Sequence, residues 1–227
     1  MGIIDNQQEI EGHRLINTKY PPIALFDDVA DVEDFEILYA IQELTNPRLK
    51  DQIGDISLLD KSEIPFHCTR HRSYVIAPFV HISPIGGRFN DGYAGALYIA
   101  DNLETAMKEV KHHQQRYWSN IKGLAYDRIL FRQLIISHQS NPVYRVDDQQ
   151  LDILNPDNYL AAQQLARNLK TQQVQAIQYP SVRNPGNQCW ALLTPKSVCD
   201  VIPSALIEMF WTGERIEEVS KVSQFPS

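Results

Sequence analysis

The stretch that most restricts the fold is 96–118. Its first five residues, ALYIA at 96–100, form a short apolar run that reads as a strand. They pass without a linker into the clearest helix of the chain. Asp101 stands at the N-cap position, Glu104 three residues on completes a capping box, and Leu103, Ala106, Met107 and Val110 share one face. Helical text continues to about Trp118. A strand feeding an amphipathic helix calls for a sheet with a helix packed against it.

The remaining text repeats that alternation. Residues 31–44 carry Val32, Phe35, Leu38, Tyr39 and Gln42 at helical spacing, with acids in the first turn and Asn46-Pro47 as the stop. Segments 66–70, 74–82, 128–137, 143–146, 174–179, 189–193 and 205–211 read as strands. A second helix is expected over 157–170, opened by Asn155-Pro156. Strands outnumber helices but are interleaved with them, which gives an α+β class: a mixed sheet with flanking helices. Residues 1–20 are polar and read as loosely held. Residues 1–63 read as an N-terminal extension packed on a main domain of 64–227.

Composition removes several function classes. With 28 acids against 21 bases, a net charge of −7 and no basic patch, the chain lacks the electrostatic footprint of a nucleic-acid binder. No window holds the ~18 apolar residues of a membrane span, and the N-terminus lacks a signal peptide's apolar core. Cys68, Cys189 and Cys199 are odd in number and contain no CxxC pair, so they read as reduced thiols of a cytoplasmic protein. His112 and His113 are neighbours about 100° apart on a helix, not an i, i+4 chelate, and no metal is expected.

Three short stretches set polar groups beside apolar runs. In Gly86-Gly87-Arg88-Phe89-Asn90, two glycines allow a close backbone approach and an Arg follows, which suits a diphosphate. In 96–109, Tyr98 lies near a strand end, and Glu109 sits at the edge of the apolar helix stripe, where a carboxylate can be partly desolvated. In 179–187 (YPSVRNPGN), Ser181, Arg183 and Asn187 lie in a donor-rich loop at a strand end. Each has a plainer reading alone: a turn with a surface Arg, a flanking Glu paired to Lys108 or His113, and a Ser in a turn.

Taken together and in order, GGRFN, then GALYIADNLETAMKEV, then YPSVRNPGN resemble the RES domain, a toxin family named for its Arg, Glu and Ser. The likeness runs over roughly 65–201. It implies a fold related to bacterial ADP-ribosyltransferase toxins and an activity that degrades NAD⁺. The ADP-ribosyl group would go to inorganic phosphate, to water or to a protein. It further implies an Xre-type antitoxin whose C-terminal part plugs the site. The longer N-terminus and the insertion before Ser181 could alter oligomerisation, a homodimer included.

Residue by residue, the resemblance matches Arg88, Tyr98, Glu109 and Ser181 to the family's catalytic set. It matches Arg70 to the first Arg, with Arg72 a close competitor, and His71 stands where many relatives have a Tyr. Those arginines would clamp the pyrophosphate and Tyr98 would stack on the nicotinamide or its ribose. Glu109 would favour an oxocarbenium-like transition state, and Ser181 would position the nicotinamide end or the acceptor. Arg183 and Asn187 are further candidates for the same pocket, Arg183 as a phosphate subsite. No cofactor beyond NAD⁺ as substrate is implied. A protein ADP-ribosyltransferase, or a silent binding domain on the same fold, are the alternatives.

Overall fold

Period-two alternation splits the central strands of this molecule between two cores, and that division locates the site. The computed structural model describes residues 2–19, 27, 33, 37, 54–68 and 70–222. Nine strands occur among them: β1 (Gly2–Ile4), β2 (Ile10–Asn17), β3 (Leu97–Ala100), β4 (Asp127–His138), β5 (Val143–Arg145), β6 (Ala176–Pro180), β7 (Gln188–Leu192), β8 (Val198–Trp211) and β9 (Ile216–Val222). They form one sheet in the order β1-β5-β6-β7-β3-β2-β4-β8-β9. β5 and β6 are parallel and the other neighbours antiparallel. The α+β expectation of a mixed sheet with flanking helices is met.

β3 sends Leu97 and Ile99 to one core and Tyr98 and Ala100 to the other, and β7 divides Trp190 and Leu192 from Cys189 and Ala191 in the same way. Both faces of these strands are covered, so they appear in the sequence as unbroken apolar runs. Helices α2 (Leu103–Ser119) and α3 (Leu160–Thr171) cover one face through Ala106, Trp118, Ala162 and Ala166. Helix α1 (Arg72–Val80) and short 3-10 turns at Ile56–Leu58 and Lys61–Glu63 cover the other.

Several local expectations are revised. The run at 74–82, expected as a strand, is helix α1 with Pro78 inside it. Val75, Ile76, Phe79 and Val80 are all buried, and a helix apolar on more than one side has no 3.6-residue stripe to betray it. The strand expected at 66–70 does not form over the described residues 66–68 and 70, which are turn and irregular chain. Helix α2 is capped by Asn102, whose Oδ1 accepts from Thr105 N at 2.8 Å, not by Asp101. Asp101 Oδ2 accepts instead from Gln188 N at 2.8 Å and ties the helix start to β7, while Glu104 pairs with Lys108 at 2.7 Å. The second helix begins at Leu160, after the Asn155-Pro156 turn. The helix expected over 31–44 lies outside the described residues, apart from single positions.

The polar N-terminus is also not loose. Residues 10–17 form β2, which lies inside the sheet between β3 and β4. Its pairing is lopsided: eight consecutive residues face β4, from Ile10↔His138 to Asn17↔Phe131, whereas only His13↔Ala100 joins β2 to β3. The sheet therefore opens along the β2/β3 seam, beneath the N-terminal half of α2.

Candidate active site

The opening holds a cavity of ≈ 250 Å³ with Arg14, Arg88, Tyr98, Glu109, Tyr159 and Arg183 in its walls. Each side chain arrives by a different local device. The Gly86-Gly87 turn delivers Arg88. Gly86 has φ +71°, and Gly87 N donates to Asn90 O at 2.8 Å, closing the turn. A Cβ on Gly86 would stand 2.2 Å from Asn90 O, and one on Gly87 2.9 Å from the Tyr98 hydroxyl. Gly86→Ala is therefore expected to lower the urea midpoint by the equivalent of about 1–3 kcal/mol. An unchanged midpoint would show that the turn tolerates a side chain.

Tyr98 braces the same turn. Its hydroxyl accepts from Phe89 N at 2.8 Å and donates to Asn90 Oδ1 at 2.7 Å, and burial drives its pKa well above the ordinary phenol value. The hydroxyl is thus committed to the protein, while the ring faces the cavity. From α3, Gln163 Nε2 donates to Gly87 O at 3.0 Å and supports the turn from the other side. Arg88 is 9% exposed. Its Nη1 donates to Ile153 O at 3.0 Å and Asn155 O at 2.7 Å, and its guanidinium lies 4.8 Å over the Tyr159 ring.

Glu109 projects from α2 toward the β6–β7 loop. Ser181 Oγ donates to Glu109 Oε1 at 2.7 Å and accepts from Asn184 N at 3.0 Å and Arg183 N at 3.3 Å. The two backbone donors occupy the hydroxyl's lone pairs, so its single proton is directed to the carboxylate. The loop is fastened to α2 by Asn184 Nδ2, which donates to Thr105 Oγ1 at 2.8 Å, and by Lys108 Nζ, which donates to Asn184 Oδ1 at 2.9 Å. Ser181, 4% exposed, does not line the cavity; its contact is with Glu109. Asn187 lies outside the cavity walls, and its Oδ1 accepts from Asn102 Nδ2 at 2.9 Å. Arg183 does line the cavity, with Nη2 donating to Pro156 O at 3.0 Å. Cys189 lines it too, but burial lifts its thiol to about 12, so it stays protonated at neutral pH.

Arg70, His71 and Arg72 are absent from the cavity walls. Arg70 is exposed. His71 adopts a left-handed conformation (φ 58°) ahead of α1. Arg72, 2% exposed, donates to Cys68 O at 3.0 Å and Phe66 O at 3.1 Å and packs over the Phe66 ring, with α1 on the sheet face opposite α2.

A further cation of the cavity wall, Arg14, comes from β2 and lies in none of the sequence motifs. Arg14 enters the β2/β3 seam and its Nη1 donates to Tyr98 O at 3.0 Å, taking a carbonyl that lacks a ladder partner on β2. Its Nε is buried without a hydrogen-bond partner among the described residues. Burial lowers its pKa to about 10, which leaves it charged at neutral pH. Neither Arg14 nor Arg88 has a carboxylate partner among the described residues. The one sequence signal for Arg14 is a charge set directly against Leu15-Ile16, and it is weak because IEGHRLIN does not alternate cleanly.

Comparisons with known proteins identify the family. The model of the RES domain matches residues 64–212, well over half of the chain and all of the motif stretches. An uncharacterized protein, y4oC, of Sinorhizobium fredii is 32% identical over 112 residues. That match covers 49% of this chain and 47% of the relative, so the chain spans about half the length of the curated protein it matches. The crystal structure of the M. tuberculosis MbcT-MbcA toxin-antitoxin complex is similar at a TM-score of 0.46 and 11% identity, over 98% of this chain and 87% of that one. On the family match, the chain belongs to the RES-domain family.

Proposed function

We propose that this chain is a toxin-like enzyme that cleaves the nicotinamide–ribose bond of NAD⁺ and passes the ADP-ribosyl group to inorganic phosphate or water. The observation that carries the reading is the charge arrangement of the cavity. Two enclosed guanidinium groups, Arg14 and Arg88, lack carboxylate partners among the described residues and line one cavity with Glu109. Cations held this way favour an anionic ligand, and a diphosphate offers the oxygens that guanidinium forks bind best. Family membership supplies NAD⁺ as the diphosphate to test.

In this mechanism Arg14 and Arg88 hold the pyrophosphate, and the rings of Tyr98 and Tyr159 confine the nicotinamide riboside half. The bond between the ribose anomeric carbon and the nicotinamide nitrogen breaks, and its electron pair leaves with nicotinamide. Glu109, oriented by Ser181, sets its negative charge against the developing oxocarbenium. The acceptor oxygen then bonds to the anomeric carbon, and any proton it carries passes to Glu109 and on to solvent. In the phosphate version of the reaction Arg183 holds the acceptor. Arg70 and Arg72 have no part in this scheme, and Asn187 acts only by fixing the loop. A kinship with bacterial ADP-ribosyltransferase toxins, and an Xre-type antitoxin as partner, belong to the same reading.

Product analysis tests it. Purified protein incubated with NAD⁺ and phosphate should release nicotinamide and ADP-ribose-1″-phosphate. Phosphate-independent formation of ADP-ribose assigns water as acceptor. Label from NAD⁺ retained on protein would replace this reading with a protein ADP-ribosyltransferase, and an undiminished NAD⁺ pool would overturn it.

A further inference from the structure

Arg14, Arg88 and Arg183 supply the cations of the cavity wall. Between α2 and the strands beneath it the wall also carries Leu15, Ala100, Ala106, Val110 and Cys189, small or apolar side chains with the thiol protonated. Two imidazoles line the cavity, His113 one turn beyond Val110 on α2 and His13 on β2. His13 pairs with Ala100 across the seam and shares its face of β2 with Leu15, two residues on.

The ring is held in one orientation. Gln133, 5% exposed and paired with Leu15 across the ladder, donates from Nε2 to His13 Nδ1 at 2.9 Å. An amide nitrogen can only donate, so Nδ1 accepts and the ring proton resides on Nε2. No acceptor among the described residues takes that proton. A buried glutamine thus fixes the tautomer of a histidine that lines the slot beside Leu15 and Ala100.

A flat aromatic ring fits between alanine faces, but a carboxamide carried into such a slot needs a donor to replace the water it loses. We propose that His13, held by Gln133, donates from Nε2 to the carboxamide oxygen of the nicotinamide ring and so selects the dinucleotide by its base; this rests on NAD⁺ being the substrate. His13 lies outside the 64–212 stretch matched by the family model, so family membership does not assign it.

The test compares NAD⁺ with pyridine adenine dinucleotide, which lacks the carboxamide, and 3-acetylpyridine adenine dinucleotide, which keeps the carbonyl without the amide nitrogen. Wild-type protein should lose about 10- to 100-fold in kcat/KM when the carbonyl is deleted and little when only the amide nitrogen goes. His13→Ala should lower kcat/KM for NAD⁺ by a similar factor while leaving the pyridine analogue unchanged, so the preference collapses. His13→Gln, which retains a donor, should recover part of it, and Gln133→Leu should show a smaller loss of the same selective kind. Thermal melts of each variant separate these effects from unfolding. Equal losses on all three dinucleotides, or none, in His13→Ala would overturn the inference alone. Wild-type protein that consumes none of the three would overturn the NAD⁺ reading and this inference with it.

Discussion

Glu109→Gln is expected to cut kcat for NAD⁺ breakdown by about a thousandfold with the fold intact. The substitution is isosteric, and the amide oxygen can still accept from Ser181, so the 2.7 Å contact that joins α2 to the β6–β7 loop survives. What disappears is the negative charge. In the ground state that charge faces a ribose with little positive character, so KM should move by no more than a few fold. In the transition state it faces an oxocarbenium in a partly desolvated cleft, where Coulomb interactions are weakly screened. Ser181→Ala supplies the contrast. It leaves the carboxylate in place but removes its donor and frees the N–H groups of Arg183 and Asn184, so an intermediate loss in kcat is expected. Turnover of Glu109→Gln within tenfold of wild type, at an unchanged melting temperature, would remove Glu109 from the catalytic role.

The sequence made part of this site legible, for a physical reason. Arg88, Tyr98 and Glu109 sit on a strand–helix unit and a glycine turn whose local rules are strong: two glycines that admit no Cβ, an apolar strand and an amphipathic helix. Local chemistry fixes such elements, so their order along the chain predicts their meeting in space. Helix α1 was illegible because a helix buried on several sides has the same apolar text as a buried strand, and its residues are β-branched or aromatic enough to favour the wrong one. The missed capping residue is a smaller case. Asp101 and Asn102 both suit a cap, and the choice is made by Gln188 N, which takes Asp101 from a strand distant in the chain.

β2 was hidden by its non-local partners. The text IEGHRLIN carries two charges, a histidine and a glycine, and reads as surface. It forms a strand because β4 pairs with it over eight residues, contacts more than 110 positions away in sequence that no window can register. Gly12 belongs to that arrangement, since a Cβ there would meet Ile99 at 2.8 Å. Arg14 and His13 reach the cavity through this pairing and not through any motif.

Arg14→Met therefore separates the two placements of the first active-site cation, and its expected signature is opposite on function and stability. Methionine retains much of the volume but not the charge, and it no longer asks for partners at the buried Nε position. Replacing a buried charge that lacks a carboxylate by an apolar side chain of similar size is often neutral or stabilising, so the melting temperature should hold or rise. The diphosphate loses one of its two enclosed guanidinium groups, and KM for NAD⁺ should rise by about 10- to 100-fold. Arg72→Met should do the reverse. Its guanidinium donates to Cys68 O and Phe66 O beneath α1, so the loss leaves carbonyl groups without their donor and lowers the melting temperature, while KM in the folded fraction stays near wild type. Arg70→Ala, at an exposed position outside the cavity walls, should change neither. A KM raised by Arg70→Ala or Arg72→Met but not by Arg14→Met would return the diphosphate clamp to the segment before α1 and leave Arg14 as a strut of the seam.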